Sequence, residues 1–155
     1  MGLLFDTSIL IAIVRAANHP DLIRFLNPKS SQVYISIVSE GEIKCLALQN
    51  KWGPSKISIL DRLLDEIIIT DITNIAINTY SQIDSYSQLR NPGFKKYPFK
   101  TPRNMGKNDL WISSYAALLN LTLVTTDSDF DHLNDIFIDV RKIHSSEFLP
   151  FFTKN

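Results

Sequence analysis

The sequence is poor in the residues that cross-link or anchor a chain. One of its 155 residues is cysteine, Cys45, so no disulfide can form within the chain and a fold has to rest on its core. No stretch approaches the roughly 20 consecutive apolar residues of a membrane span, and the apolar N-terminal stretch from Leu3 to Val14 is broken by Asp6, Thr7 and Ser8. The N-terminus lacks a basic segment followed by an apolar run and a small-residue cleavage site. These absences lead us to expect a cytoplasmic protein without a membrane role. Histidine is scarce as well: His19, His132 and His144 lack the spacing of paired metal ligands, which puts them outside any metal shell. Net charge is also missing. Sixteen basic residues balance sixteen acidic ones, so the field of the whole molecule gives no reason to expect a nucleic-acid partner.

What is present reads differently. Apolar residues make up 45% and charged residues 21% of the chain, far from the signature of disorder, and the length suits one domain over 1–155 with a sizeable core. The charges are also unevenly placed. Between Asp84 and Asp109 no acidic residue occurs, whereas Arg90, Lys95, Lys96, Lys100, Arg103 and Lys107 all fall there. That segment would attract a polyanion locally. Phe94, Tyr97 and Phe99 interleave with the basic residues, a mixture suited to stacking unpaired bases while contacting phosphates. Trp52 and Trp111 read as packing residues.

Apolar periodicity and turn residues set the order of elements. A short strand at 2–5 feeds a helix at 9–17, and a second helix covers 20–26. A β-branched and aromatic strand at 33–37 leads to a helix from an N-cap at Ser39 to about 50. A further helix runs to about 65, a strand follows at 66–70, and a helix spans 73 to about 89. Pro92, Gly93, Pro98, Pro102 and Gly106 exclude regular helix from 90–106, which is expected to be a loop. A helix at 107–120, a strand at 121–125, a short helix at 127–133 and a strand at 136–140 complete the pattern. Strands alternating with helices predict an α/β fold: a mainly parallel sheet of about five strands, covered on both faces.

In open parallel sheets ligands bind beyond the carboxyl ends of the strands, and here those positions are acidic. Asp6 ends the first strand and Asp127 follows the strand at 121–125. Glu42 lies near the start of the helix after the second strand, and Asp109 in the first turn of the helix that starts at 107. Asp109 or Glu42 alone could be a helix cap or dipole partner, whereas Asp6, in an apolar strand-to-helix junction without an obvious basic partner, is harder to explain that way. Together, four carboxylates on element ends that could converge need a counter-ion, because two of them about 4 Å apart repel by roughly 4 kcal/mol at an effective dielectric of 20. A set of oxygen ligands selects a hard divalent ion such as magnesium or manganese, commonly bridging to phosphate.

Four segments carry a more specific signal: Phe5-Asp6-Thr7-Ser8-Ile9-Leu10, Ile35 to Ile43 with Ser39-Glu40-Gly41-Glu42, Gly106-Lys107-Asn108-Asp109-Leu110-Trp111-Ile112, and Leu123-Val124-Thr125-Thr126-Asp127-Ser128-Asp129-Phe130. In this order they resemble the signature blocks of PIN domains, in particular VapC-like toxins. The resemblance implies a three-layer α/β/α sandwich. It also implies a magnesium- or manganese-dependent endoribonuclease that cuts single-stranded RNA, inhibited by a partner antitoxin and assembled as a homodimer. It gives Asp6, Glu42, Asp109 and Asp127 the metal-binding and catalytic roles, with Asp129 in support and Thr7, Ser8 and Thr125 as hydroxyls that hold the ligands. Glu42 is preferred to Glu40 because an aliphatic residue, Ile43, follows it as in the family. The stretch from Arg90 to Gly106 is longer than the connection usual in small toxins of that family. Two rival readings differ in chemistry. An RNA-binding module without turnover would not need the acidic quartet. An aspartyl-phosphate hydrolase using Asp6 would want an aspartate two residues later, where Ser8 stands.

Overall fold

The computed structural model describes residues 1–153. Five parallel strands form the sheet: β1 (Leu3–Phe5), β2 (Val33–Ser36), β3 (Ile68–Thr70), β4 (Thr122–Thr125) and β5 (Asp139–Lys142), in the order β3-β2-β1-β4-β5. Register sets Leu4 beside Leu123 and Phe5 beside Val124. Successive side chains on a strand point to opposite faces, so these pairs supply two cores. Phe5, Ile35 and Val124 pack with α1 (Thr7–Arg15), α2 (His19–Leu26), α3 (Ile37–Gln49) and α4 (Pro54–Glu66). Leu4 and Leu123 pack with α5 (Ile77–Ser87) and α6 (Lys107–Leu118). The result is an α/β sandwich with helices on both faces. A final short helix, α7 (Leu149–Phe152), packs through Phe151 against Phe25. No helix among the described residues is long and apolar enough to cross a membrane.

Local chemistry moves several element ends from where the sequence suggested. Helix α1 begins at Thr7 rather than residue 9, because Asp6 caps it by accepting the Thr7 amide at 2.8 Å. Helix α3 begins at Ile37, since Ser36 and not Ser39 is its N-cap and accepts from the Val38 amide. Ser39 is instead buried inside the helix. The expected helix over 73–89 divides into a 3-10 turn at Asn74–Ala76 and α5. The fifth strand lies at Asp139–Lys142 instead of 136–140. The amides of Ile136 and Phe137 both turn back to the Leu133 carbonyl, and Phe137 and Ile138 pack into the second core. Their apolar run was therefore a packed turn, which periodicity alone does not distinguish from a strand.

The segment between α5 and α6 is a strap with no helix or strand. Its aromatics point inward. Phe94, Tyr97 and Phe99 ring the fully buried Tyr86 with centroids 4.6, 5.2 and 5.4 Å away, distances typical of favourable aromatic pairs. Phe94 and Tyr97 are thus packing residues and not the platform for bases that their spacing suggested, whereas Phe99, packed on Tyr86, also lines a surface cavity. Backbone bonds fasten the strap at both ends, from the Arg90 amide to the Ser85 carbonyl and from the Arg103 amide to the Ser87 carbonyl, each 2.8 Å. The buried Asn91 ties its start to Gln82 through two side-chain hydrogen bonds. The basic side chains Arg90, Lys95, Lys96, Lys100 and Arg103 remain exposed.

Candidate metal centre

The strand order reverses direction between β1 and β4, which makes their carboxyl ends the place where a crevice opens in a sheet of this kind. Asp6 stands there, 6% exposed. Its Oδ2 accepts hydrogen bonds from Thr125 Oγ1 at 2.7 Å and Ser8 Oγ at 3.0 Å. Burial pushes the Asp6 carboxyl above its usual range, opposed by those hydroxyls and the Thr7 amide, while Glu42 raises it further. The same hydroxyls brace the loop after β4. Thr125 Oγ1 accepts the Asp127 amide at 3.0 Å, and Ser8 Oγ accepts the Thr126 amide at 3.2 Å. Three hydroxyl-bearing residues thus belong to one network around Asp6, because Thr7 Oγ1 donates to Glu42 Oε2 across from α3.

Glu42 is held from its other side by the Asn108 side-chain amide, which donates to Oε1. Glu40, two residues earlier, is engaged in an ion pair with Lys44 one turn along α3. Asp109 enters from the first turn of α6. Its neighbour Gly106 leaves room for it: a Cβ there would sit 3.1 Å from Asp109 Oδ2. Asp127 caps the 3-10 segment Ser128–Leu133 by accepting the Asp129 amide at 2.9 Å.

Asp109, Asp127 and Asp129 present carboxylate oxygens that all lie within 4.8 Å of one another. Asp6 and Glu42 stand outside that tightest group, yet near enough that both act on Asp109. The Asp109 carboxyl is pushed up to about 6, first by burial and then by the negative charges of Asp6, Asp127, Asp129 and Glu42. None of these five carboxylates forms an ion pair with a basic residue among the described residues. At 4.8 Å a like-charged pair costs roughly 3 kcal/mol at an effective dielectric of 20, so the constellation is built to be neutralised by something outside the chain. Its all-oxygen donor set fits a hard divalent cation such as magnesium or manganese. No histidine joins the group among the described residues.

Two contributors escaped the sequence reading. Asn108 was visible only as part of a motif, and its role as the donor that orients Glu42 depends on the crossing of α3 and α6. Lys142, at the end of β5, donates to Ser128 Oγ at 2.8 Å and to Asp131 at 2.7 Å, placing a cation beside the acidic loop. It had no signal, because the last strand was read three residues too early. Of the basic residues anticipated as RNA contacts, Arg103 lines a small opening together with Asn104, Ser128 and Asp129, and Lys107 opens α6 two residues before Asp109. Arg90, Lys95, Lys96 and Lys100 are spread along the strap.

The fold has counterparts among known proteins. No curated protein matches the sequence. Among solved structures, the chain is similar to VapBC2 from Rickettsia felis, crystallised on a DNA fragment from its promoter, with 22% identity, a TM-score of 0.66 and coverage of 90% of this chain and 98% of that one. It is likewise similar to VapBC-1 from nontypeable Haemophilus influenzae, at 20% identity and a TM-score of 0.67 over 92% and 98% of the two chains. FitAcB from Neisseria gonorrhoeae matches at 20% identity with a TM-score of 0.63 over 90% and 96%. The family model described as PIN domain matches residues 3–136, an interval that contains both strands of the acidic crevice and all five carboxylates. The chain belongs to the PIN domain family.

Proposed function

We propose that the protein is a metal-dependent endoribonuclease that cuts single-stranded RNA and serves as the toxin of a toxin-antitoxin pair. The observation that carries this reading is the group of five carboxylates without basic partners at the ends of β1 and β4. Asp6, Glu42, Asp109 and Asp127 would hold magnesium or manganese, with Asp129 in support. The bound ion would supply an activated water and offset charge on the phosphodiester. The chain's own part is positioning. Thr125 and Ser8 hydrogen-bond both the Asp6 carboxylate and the loop bearing Asp127, which ties these two residues together. Thr7 and Asn108 aim Glu42. Exposed Arg90, Lys95, Lys96, Lys100, Arg103 and Lys107 would gather the RNA backbone by contacts to phosphate, which carry no sequence information.

The solved relatives named VapBC are toxin-antitoxin systems, which supports an antitoxin as the partner here. A homodimer of this chain belongs to the same reading. End-labelled single-stranded RNA incubated with the protein in magnesium, in manganese and in EDTA tests it: cutting in either metal and none in EDTA is expected. Tight RNA binding with no cutting in either metal would replace the enzyme by a binding module.

A further inference from the structure

The strap does more than close the second core. Between its second half and the 3-10 segment Ser128–Leu133 lies a cavity of about 530 Å³, walled by Pro98, Phe99, Arg103, Ser128, Asp131, His132, Asn134 and Ile136. That size is within the range of small-molecule sites. Arg103 and Ser128 also line the smaller opening that reaches Asp129, so the cavity adjoins one member of the acidic group. Its walls are of two kinds. Pro98, Phe99 and the half-exposed Ile136 offer apolar surface, whereas Arg103 is an exposed cation without a carboxylate partner among the described residues, the carboxylate of the wall, Asp131, being paired with Lys142.

The cavity is also held in shape. Ser87 Oγ and His132 Nε2 are 2.7 Å apart, which pins the 3-10 segment to the end of α5. The Arg103 amide is bonded to the Ser87 carbonyl at the same place. The His132 ring meets Phe99 edge to face at 5.3 Å.

We propose that this cavity seats the nucleotide adjacent to the cleaved bond, its base against Pro98, Phe99 and Ile136 and its phosphate on Arg103. The assignment rests on the nuclease reading above. It makes the strap a determinant of which unpaired nucleotides are accepted, because a base must leave the stack of its neighbours to enter.

Binding of a short labelled single-stranded RNA, read by fluorescence anisotropy in EDTA with one abasic position moved along the strand, tests the seat. One abasic position is expected to weaken binding by roughly 5- to 150-fold, the effect of losing one stacked base. In an Ile136→Trp protein, whose cavity is filled, the same abasic position should have little further effect. Arg103→Ala should lower the log–log salt slope by about 0.7, the value of one phosphate contact on a single strand, and Arg103→Lys should restore it. A flat abasic scan, an equal abasic loss in Ile136→Trp, or an unchanged slope in Arg103→Ala overturns the proposal. The Arg103 pair decides alone if Ile136→Trp melts early. RNA cutting by the native protein separates the two readings: cutting with a flat scan removes only the seat, whereas no cutting in magnesium or manganese removes the nuclease reading and the seat with it.

Discussion

Asp109 is the residue at which the crowding of charge is felt most. With a carboxyl at about 6, raised from 3.8 by burial and by like charges, its folded form holds a proton more tightly than its unfolded form. Its contribution to stability is therefore present below about pH 4 and is lost as pH rises through about 6. Asp109→Asn should raise the metal-free melting temperature at pH 7.5 and leave it nearly unchanged at pH 4. Thermal unfolding in EDTA at both values checks this, and a variant no more stable at pH 7.5 would show that the carboxylates do not repel there. Magnesium added at pH 7.5 should stabilise the native protein more than the variant.

Asp6 behaves differently although it is more deeply buried. Its Oδ1 accepts the Thr7 amide and its Oδ2 accepts from both Thr125 and Ser8, whereas asparagine has one acceptor oxygen, so at least one of these donors loses its partner. Asp6→Asn should abolish RNA cutting and raise metal-free stability less than Asp109→Asn does, because relief of the buried charge is offset by about 1 kcal/mol for a lost buried hydrogen bond. Denaturant unfolding and a cleavage assay on the same preparation read the two effects. Repulsion and hydrogen bonding thus oppose each other at Asp6, whereas at Asp109 burial and repulsion act together.

At the scale of elements, the strap and the 3-10 segment form the coupled pair. Ser87 is fully buried, and its hydroxyl meets His132 Nε2. Ser87→Ala should leave a ring nitrogen unpaired, destabilise the protein by about 1–3 kcal/mol, and speed amide exchange across residues 94–105 before the rest of the chain opens. Hydrogen-exchange mass spectrometry decides: uniform exchange would mean that the strap opens only with global unfolding.

The order of strands and helices was legible in the sequence because β-branched runs alternate with helical periodicity. So was the placement of carboxylates, because strand ends are marked by the change from apolar to polar at Asp6 and Thr125. The inward turn of Phe94, Tyr97 and Phe99 was not legible. A segment rich in proline and lysine looks solvated, and only the position of Tyr86 on α5 reveals that those rings have a partner. The start of the fifth strand was missed for a similar reason, since Phe137 and Ile138 serve the core from a turn.

For the whole molecule, neutral net charge conceals a division of sign. Acidic groups occupy the crevice and basic groups the strap beside it, an arrangement that could draw in a polyanion and present it to a cation-binding centre. Lys95→Glu with Lys96→Glu should weaken RNA binding and flatten its log–log salt dependence by about 0.7 for each lost phosphate contact. Anisotropy titrations over a range of salt concentrations measure the slope, and an unaltered slope would make these lysines mere surface.

The reversal of strand order at β1 and β4 also has a temporal side. Asp6 and Thr125 are hydrogen-bonded across 119 positions of sequence, so the crevice is closed by pieces that leave the ribosome far apart in time. A growing chain that has reached only β3 carries Asp6 and Glu42 but none of the three aspartates that crowd together later. Such a nascent chain holds only part of the acidic group, and the proposed cation site is complete only after most of the protein has been made.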